Sequence, residues 1–373
     1  HANLLTLLIL LTTAVVMVSL AKRLNFPTIL AYLLIGIAVG PHGLAWMSES
    51  ESISEVAEFG IVFLMFTIGL EFSVKKLMAM RKLVFGLGAS QMLLTALGTG
   101  FVVWLGYGQG WRSGVAVGIA IAMSSTAIVA RMLSERFELH SRSGRQTMGV
   151  LLFQDIAVVP CLILLPALAT PGESLWSALS IAAVQAVLIL GVLIWLGQRY
   201  LGRFFAQFAR HRSDELLVLV TLWFVVALSY LTANSGLSMA LGAFVGGMLI
   251  SETIYRHQVE ADIRPFRDIL LGLFFVTVGM MLDLRFVFEN LDLLALAVLL
   301  LIGGKALVML VLTWFLKTPL FTSLRTAAQL AQAGEFGLVL INLAFALHLI
   351  PLDVFQITLS AMLLSMFIAP FLI

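Results

Sequence analysis

Apolar runs broken by short clusters of charged and turn residues repeat along the whole chain. About 20 apolar residues carry a helix across a bilayer. The pattern predicts an all-α polytopic membrane protein of about 13 transmembrane helices. The spans fall near 3–20, 28–40, 56–73, 84–105, 113–133, 146–169, 175–198, 215–232, 237–251, 266–283, 292–316, 326–347 and 353–373. The second and the ninth are short. The first run, Leu4 to Leu20, reads as a span rather than a signal peptide, because no basic segment leads it and Lys22 and Arg23 follow it.

Composition agrees with this class. Of 373 residues, 61% are hydrophobic and 11% charged, with mean hydropathy +1.07. Soluble proteins carry about 25% charged residues. So few charges cannot cover a soluble surface, and they exclude disorder and a nucleic-acid-binding domain. The single cysteine, Cys161, excludes an internal disulfide framework and a cysteine metal site.

Placement of charge orients the chain. Of the 22 lysines and arginines, all but Arg112, Arg285 and Lys305 lie in or beside the loops that follow odd-numbered spans. The positive-inside rule then puts the N-terminus outside and the C-terminus inside. An integral protein of this kind fits a bacterial inner (plasma) membrane.

Two glycine patterns recur seven spans apart. Gly36, Val39 and Gly40 match Gly242, Val245 and Gly246, and Thr67 and Gly69 match Thr277 and Gly279. An odd shift reverses the direction of crossing, as in the inverted repeats of secondary transporters. Close packing of small residues is the simpler explanation of either match alone. The whole of 1–373 reads as one transmembrane unit, with repeats at about 3–169 and 215–373 joined by a linker helix at about 175–198. The fifth span then pairs with the twelfth. Both carry polar interruptions, Ser124-Ser125-Thr126 in one and Gln329, Gln332, Gly334 and Glu335 in the other. Broken helices at corresponding positions point to a midplane site, and the two are expected to cross there.

Three ionisable residues lie deep in spans: Asp155 after Gln154 in the sixth, Lys305 in the eleventh and Glu335 in the twelfth. Such residues usually pair or line a hydrated path. Asp155 is the candidate carrier, since a proton and a cation can compete for one carboxylate. Lys305 is read as its ion-pair partner, with a static tie between helices as the alternative. Glu335 either caps exposed amides or ligates the ion. The hydroxyls of Ser124, Ser125 and Thr126 either back-bond to their helix or help to hold the ion. The histidines show no metal-ligand spacing, and neither a phosphate loop nor a nucleophile elbow occurs. No enzyme activity, cofactor or nucleic-acid partner is expected.

At these residues the chain resembles the Kef-type potassium–proton antiporters of the monovalent cation–proton antiporter superfamily. The motifs are Leu151-Leu152-Phe153-Gln154-Asp155-Ile156, Ser124-Ser125-Thr126-Ala127, Ala333-Gly334-Glu335-Phe336, Leu271-Gly272-Leu273-Phe274-Phe275, Val278-Gly279-Met280 and Lys305. The resemblance covers the whole chain. It implies a homodimer whose protomers each have a transport and a dimerisation domain. It also implies elevator-like alternating access, with Asp155 carrying the ion or proton and Gln154, Ser125 and Thr126 beside it. Related sodium–proton exchangers often have Asn-Asp or Asp-Asp in place of Gln154-Asp155. A cytosolic regulatory domain gated by glutathione follows the last span in that family, and this sequence stops at Ile373 without it. The loop Ser251–Phe266, with Glu252, Glu260 and Asp262, resembles the family's acidic regulatory loop. Acids in a loop also commonly mean no more than solvation.

The function expected is exchange of a monovalent cation, most simply potassium, for protons across the bilayer. A sodium–proton antiporter and a gated, channel-like potassium pathway are the alternatives. A channel would more naturally carry a carbonyl filter or a charged ring.

Overall fold

A computed structural model describes residues 2–373 except 25–26, 47–50, 72–77, 109, 170–174, 210–213 and 236–237. The described residues are helical, with no strand among them. A helix satisfies every backbone group within its own segment, which a bilayer core demands. Lys75, Lys76, Arg210 and Arg212 of the charge pattern lie outside the described residues.

The helices run α1 (Ala2–Arg23), α2 (Thr28–Val39), α3 (Glu51–Glu71), α4 (Ala89–Tyr107, entered through the π-helical turn Lys82–Gly88), α5 (Trp111–Ala122) and α6 (Thr126–Glu135). Next come α7 (Arg142–Ala169), α8 (Leu175–Ala209), α9 (Asp214–Asn234), α10 (Met239–Ser251) and α11 (Arg256–Met280). The chain finishes with α12 (Leu284–Glu289), α13 (Leu291–Phe315), α14 (Leu320–Leu330), α15 (Glu335–Ala346) and α16 (Leu352–Leu372).

Starts and stops follow local chemistry. Pro27, Pro319 and Pro351 immediately precede α2, α14 and α16, where a fixed φ and a missing N–H cost nothing. Ser238 caps α10 by accepting from Leu241 N at 3.2 Å, and Asp283 caps α12 through Arg285 N and Phe286 N. Gly108 ends α4 in the left-handed region at φ 61°.

By length and composition, seven described helical stretches can cross a membrane, one of them running through both α5 and α6, or eight if α14 and α15 form one bent span. Thr28–Val39, Phe59–Glu71 and Met239–Ser251 are shorter apolar helices. The tenth span differs from the expectation. Helix α11 begins at Arg256 and carries Pro265 inside it, so most of the expected loop Ser251–Phe266 is helical. Its opening turns are polar, which hid them from a search for apolar runs. Helix α8 likewise continues well past 198, through Arg199 and Arg203, and α12 was not anticipated.

The chain forms two compact units. One comprises His1–Met47, Lys75–Cys161 and Val278–Ile373, and the other Ser48–Val74 and Leu162–Thr277. Within the second, α3 and α10 meet backbone to backbone. A Cβ on Gly69 would lie 2.8 Å from Met248 N, and one on Gly247 would lie 2.8 Å from Leu70 N. Only glycine permits that approach. Within the first unit, α2 meets the end of α11, where a Cβ on Gly279 would lie 3.1 Å from Gly36 Cα. The first unit also holds both polar interruptions.

Candidate functional site

Both interruptions are breaks in the helix. α5 stops at Ala122 and α6 starts at Thr126, with Met123 and Ser125 in extended conformation. α14 stops at Leu330 and α15 starts at Glu335, bent by 45°. A Cβ on Gly334 would lie 2.5 Å from Ser124 O and 2.7 Å from Ser125 N, so the two breaks are in contact. The extended backbone at Gly334 (φ −133°) is open to any residue, and it is the close approach that requires glycine.

A broken helix exposes carbonyls at one half-helix end and amides at the other, and here side chains satisfy them. Lys305, only 1% exposed, donates all three protons of its ammonium: to Met123 O at 2.7 Å, to Gln332 O at 2.7 Å and to Ser124 Oγ at 2.9 Å. One lysine of α13 thus ties both breaks together. These bonds are those of the static tie between helices, the alternative read from the sequence. Two open carbonyls and a hydroxyl satisfy three donors in full, and an ammonium has only three.

Gln154 joins a second set of bonds. Its Oε1 accepts from Ser124 N at 2.7 Å, and its Nε2 donates to Gln91 Oε1 at 2.8 Å and to Ala122 O at 3.1 Å. Gln91 Nε2 also donates to Ala122 O at 3.2 Å. The buried Gln154 amide therefore holds the end of α5. Ser124 Oγ donates to Leu330 O at 2.9 Å, and Ser365 Oγ accepts from Ala333 N at 3.0 Å.

At the amide ends, Ser125 Oγ caps α6 by accepting from Ile128 N at 3.2 Å. Glu335 Oε1 accepts from Ala127 N at 3.4 Å, so a carboxylate on the first turn of α15 faces the first turn of α6. Helix dipoles favour negative charge at both places. Its other oxygen, Oε2, and both side-chain polar atoms of Gln332 are buried without a hydrogen-bond partner among the described residues.

Asp155 occupies the more open side. It is half-buried, and Thr126 Oγ1 donates to its Oδ1 at 3.1 Å. Asp155, Thr126, Gln154, Ser125, Lys305 and Glu335 are therefore gathered round one pair of breaks within the first unit. Oxygen donors of this type suit a hard cation, with Asp155 supplying the charge. Among the described residues there is no cluster of three histidine, cysteine or acidic side chains of transition-metal type.

Glu252, Glu260 and Asp262 do not share a loop. Glu252 follows α10 as its C-cap, and Glu260 and Asp262 lie on α11, in the second unit. Glu260 meets Arg264 at 3.6 Å, one turn on. Gln91 and Ser365 went unnoticed in the sequence. The available signal was a lone polar residue inside an apolar run.

Paired broken helices recur in secondary transporters, whose ion sites lie where backbone is unwound. The sequence profile described as sodium/hydrogen exchanger, transmembrane, matches residues 8–373, and the chain belongs to that family of transporters. It is 40% identical over 348 residues to K(+) efflux antiporter 2, chloroplastic, of Arabidopsis thaliana, covering 91% of this chain and 30% of that protein. It is 40% identical over 374 residues to the putative K(+) efflux antiporter KefB of Alkalimonas amylolytica, covering 100% of this chain and 56% of that protein. The chain thus spans about half, or less, of the length of these relatives. The fold is similar to that of the sodium proton antiporter MjNhaP1 from Methanocaldococcus jannaschii, with TM-score 0.72 at 18% identity over 99% of this chain and 96% of that one.

Proposed function

We propose that the protein exchanges potassium for protons by alternating access, with Asp155 binding each in turn. The observation that carries this reading is the half-buried Asp155 carboxylate beside two helix breaks, with Thr126 Oγ1 on its Oδ1. Ser125 and Thr126 supply hydroxyl oxygens nearby, and Gln154 holds the break from the other side. Potassium, rather than sodium, is supported by the two efflux relatives. One carboxylate beside a neutral amide also makes a weak field, which a large, readily dehydrated ion tolerates best.

The chain is read as thirteen crossings of a bacterial inner membrane, N-terminus outside and C-terminus inside, in inverted repeats at about 3–169 and 215–373. The transport units work as a homodimer and move as elevators. Glu252, Glu260 and Asp262 are read as contacts for a cytosolic regulatory domain. Sodium exchange is the second reading, favoured by the description of the family.

The test is ion-dependent proton flux in proteoliposomes, with potassium, rubidium and sodium compared. Potassium should drive the largest flux, and Asp155→Asn should abolish it in a folded protein. Wild-type flux through purified, folded Asp155→Asn would remove Asp155 as carrier. A flux driven by sodium alone would select the second reading, and potassium current without proton movement would select a channel.

A further inference from the structure

Away from the breaks, the first unit contains a cavity of about 1090 Å³. Its lining includes Arg81, Lys82, His140, Arg142 and Arg145 and, among the described residues, no acidic residue. Three separate stretches of chain supply the wall: the entry to α4, the turn from α6 into α7, and Leu316 at the end of α13. Arg81, Lys82, His140, Arg142 and Arg145 are all exposed. Among the described residues, Arg81, Lys82, His140 and Arg145 have no ion-pair partner. Glu138, the acidic residue nearest to them in sequence, is bonded to Arg325 at 2.5 Å and does not neutralise them. Arg142 makes one bond, to Lys317 O at 3.5 Å.

We infer that this cavity binds a phosphate-bearing anion with two or more negative charges. Orientation in a membrane needs basic residues in loops, but it does not need them gathered from separate connections round one concavity. Two arginine forks can each grip a phosphate in two places, and a third sits beside them. A single carboxylate would leave most of the four fixed positive charges unmatched. The volume is that of a ligand site rather than of a bound water or halide.

Two sources carry this chemistry, a diphosphate lipid headgroup and a soluble polyphosphate. Apolar side chains on the same wall, including Met78, Leu83 and Leu316, give acyl chains a place to lie and favour the lipid. Under the proposed orientation the cavity opens on the cytoplasmic side. Its wall includes Ala130 and Ser134 of α6, the helix that begins at Thr126.

The test uses the purified full chain in neutral detergent with phosphatidylcholine. Cardiolipin and inorganic pyrophosphate are titrated separately and read by thermal unfolding and native mass spectrometry. Arg81→Gln with Arg145→Gln is compared with Arg199→Gln and Arg203→Gln, an equal loss of charge from exposed positions on α8. One or both probes should raise the unfolding temperature, and the cavity pair should weaken that binding about tenfold or more while the α8 pair does not. Cardiolipin alone stabilising would identify the lipid source, and pyrophosphate alone the soluble one. The inference is overturned if neither probe stabilises beyond phosphatidylcholine, if the cavity pair binds like wild type, or if both pairs lose binding equally. None of these readouts depends on transport, so this result and the antiport test stand or fall separately.

Discussion

Ser124 Oγ donates to the carbonyl of Leu330 across a sequence separation of 206 residues. The same offset aligns Gly36 with Gly242. Close by, Ala127 N meets Glu335 across 208 residues. In the repeat proposed above, these two bonds would join counterparts, as residues near a two-fold axis do. The glycine contacts extend the relation. Gly36 lies against Gly279 in one unit and Gly69 against Gly247 in the other. By sequence, the proposed repeat carries Gly36 and Gly279 onto Gly242 and Gly69, and the glycine that Gly69 meets is Gly247, further along α10.

Gly334→Ala should be costly and Gly303→Ala should not. A methyl on Gly334 meets Ser124 O at 2.5 Å and Ser125 N at 2.7 Å, and backbone cannot swing aside as a side-chain tip can. Overpacking of this type costs about 1–3 kcal/mol. Gly303 lies inside α13 with nothing within 4 Å of an added Cβ, where alanine should stabilise the helix by about 1 kcal/mol. Thermal unfolding should therefore shift in opposite directions, with transport lost only at 334. A Gly334→Ala protein as stable and as active as wild type would separate the two breaks.

Lys305→Met should lower stability. Met123 O and Gln332 O each lose a donor while buried, at about 1–3 kcal/mol apiece. Removing the buried ammonium relieves its desolvation cost and offsets part of that loss. The expected outcome is a fall of several degrees in unfolding temperature and loss of ion-coupled flux. An unfolding temperature at or above the wild-type value would mean that the tie across the breaks contributes little.

The chain read well where one rule decided. Apolar runs located most of the helices, and the charges Lys305 and Glu335 within them meet the two helix breaks, because a charge or an amide in such a run has few roles open to it. Lys305 was recognised, but the carbonyls of Met123 and Gln332 that it binds were not. Attraction between opposite charges is legible in a sequence, whereas the carbonyls freed by a helix break are not, since every residue has one. The start of α11 was missed for a related reason. Arg256-His257-Gln258 is polar, and a helix leaving the apolar zone has no apolar period to show. Gln91 lies far from Gln154 in sequence and gains its meaning only from the bond between their side chains.

Gln154 separates two contributions that one substitution would confound. Its amide holds the break, through Ser124 N, Ala122 O and Gln91 Oε1. Its neutrality leaves Asp155 as the single carboxylate of the pair. Gln154→Leu removes the bonds and keeps neutrality. Ser124 N then loses its acceptor, while Ala122 O keeps Gln91 Nε2. Flux should slow as the break loosens, with the ratio of half-saturating potassium to sodium unchanged. Gln154→Glu keeps an acceptor for Ser124 N and, when ionised, has no proton to give Ala122 O or Gln91 Oε1. It also sets a second carboxylate beside Asp155. A stronger field favours the smaller ion, which gains more from close contact with charge. The ratio should then move toward sodium by about tenfold, a difference of about 1.4 kcal/mol. The measurement is proton flux against ion concentration for each variant in proteoliposomes, with unfolding temperature as the check on folding. An unchanged ratio in an active Gln154→Glu protein would remove the neutral amide as the source of ion preference. A shifted ratio in Gln154→Leu would show that the held geometry, rather than the charge, sets it.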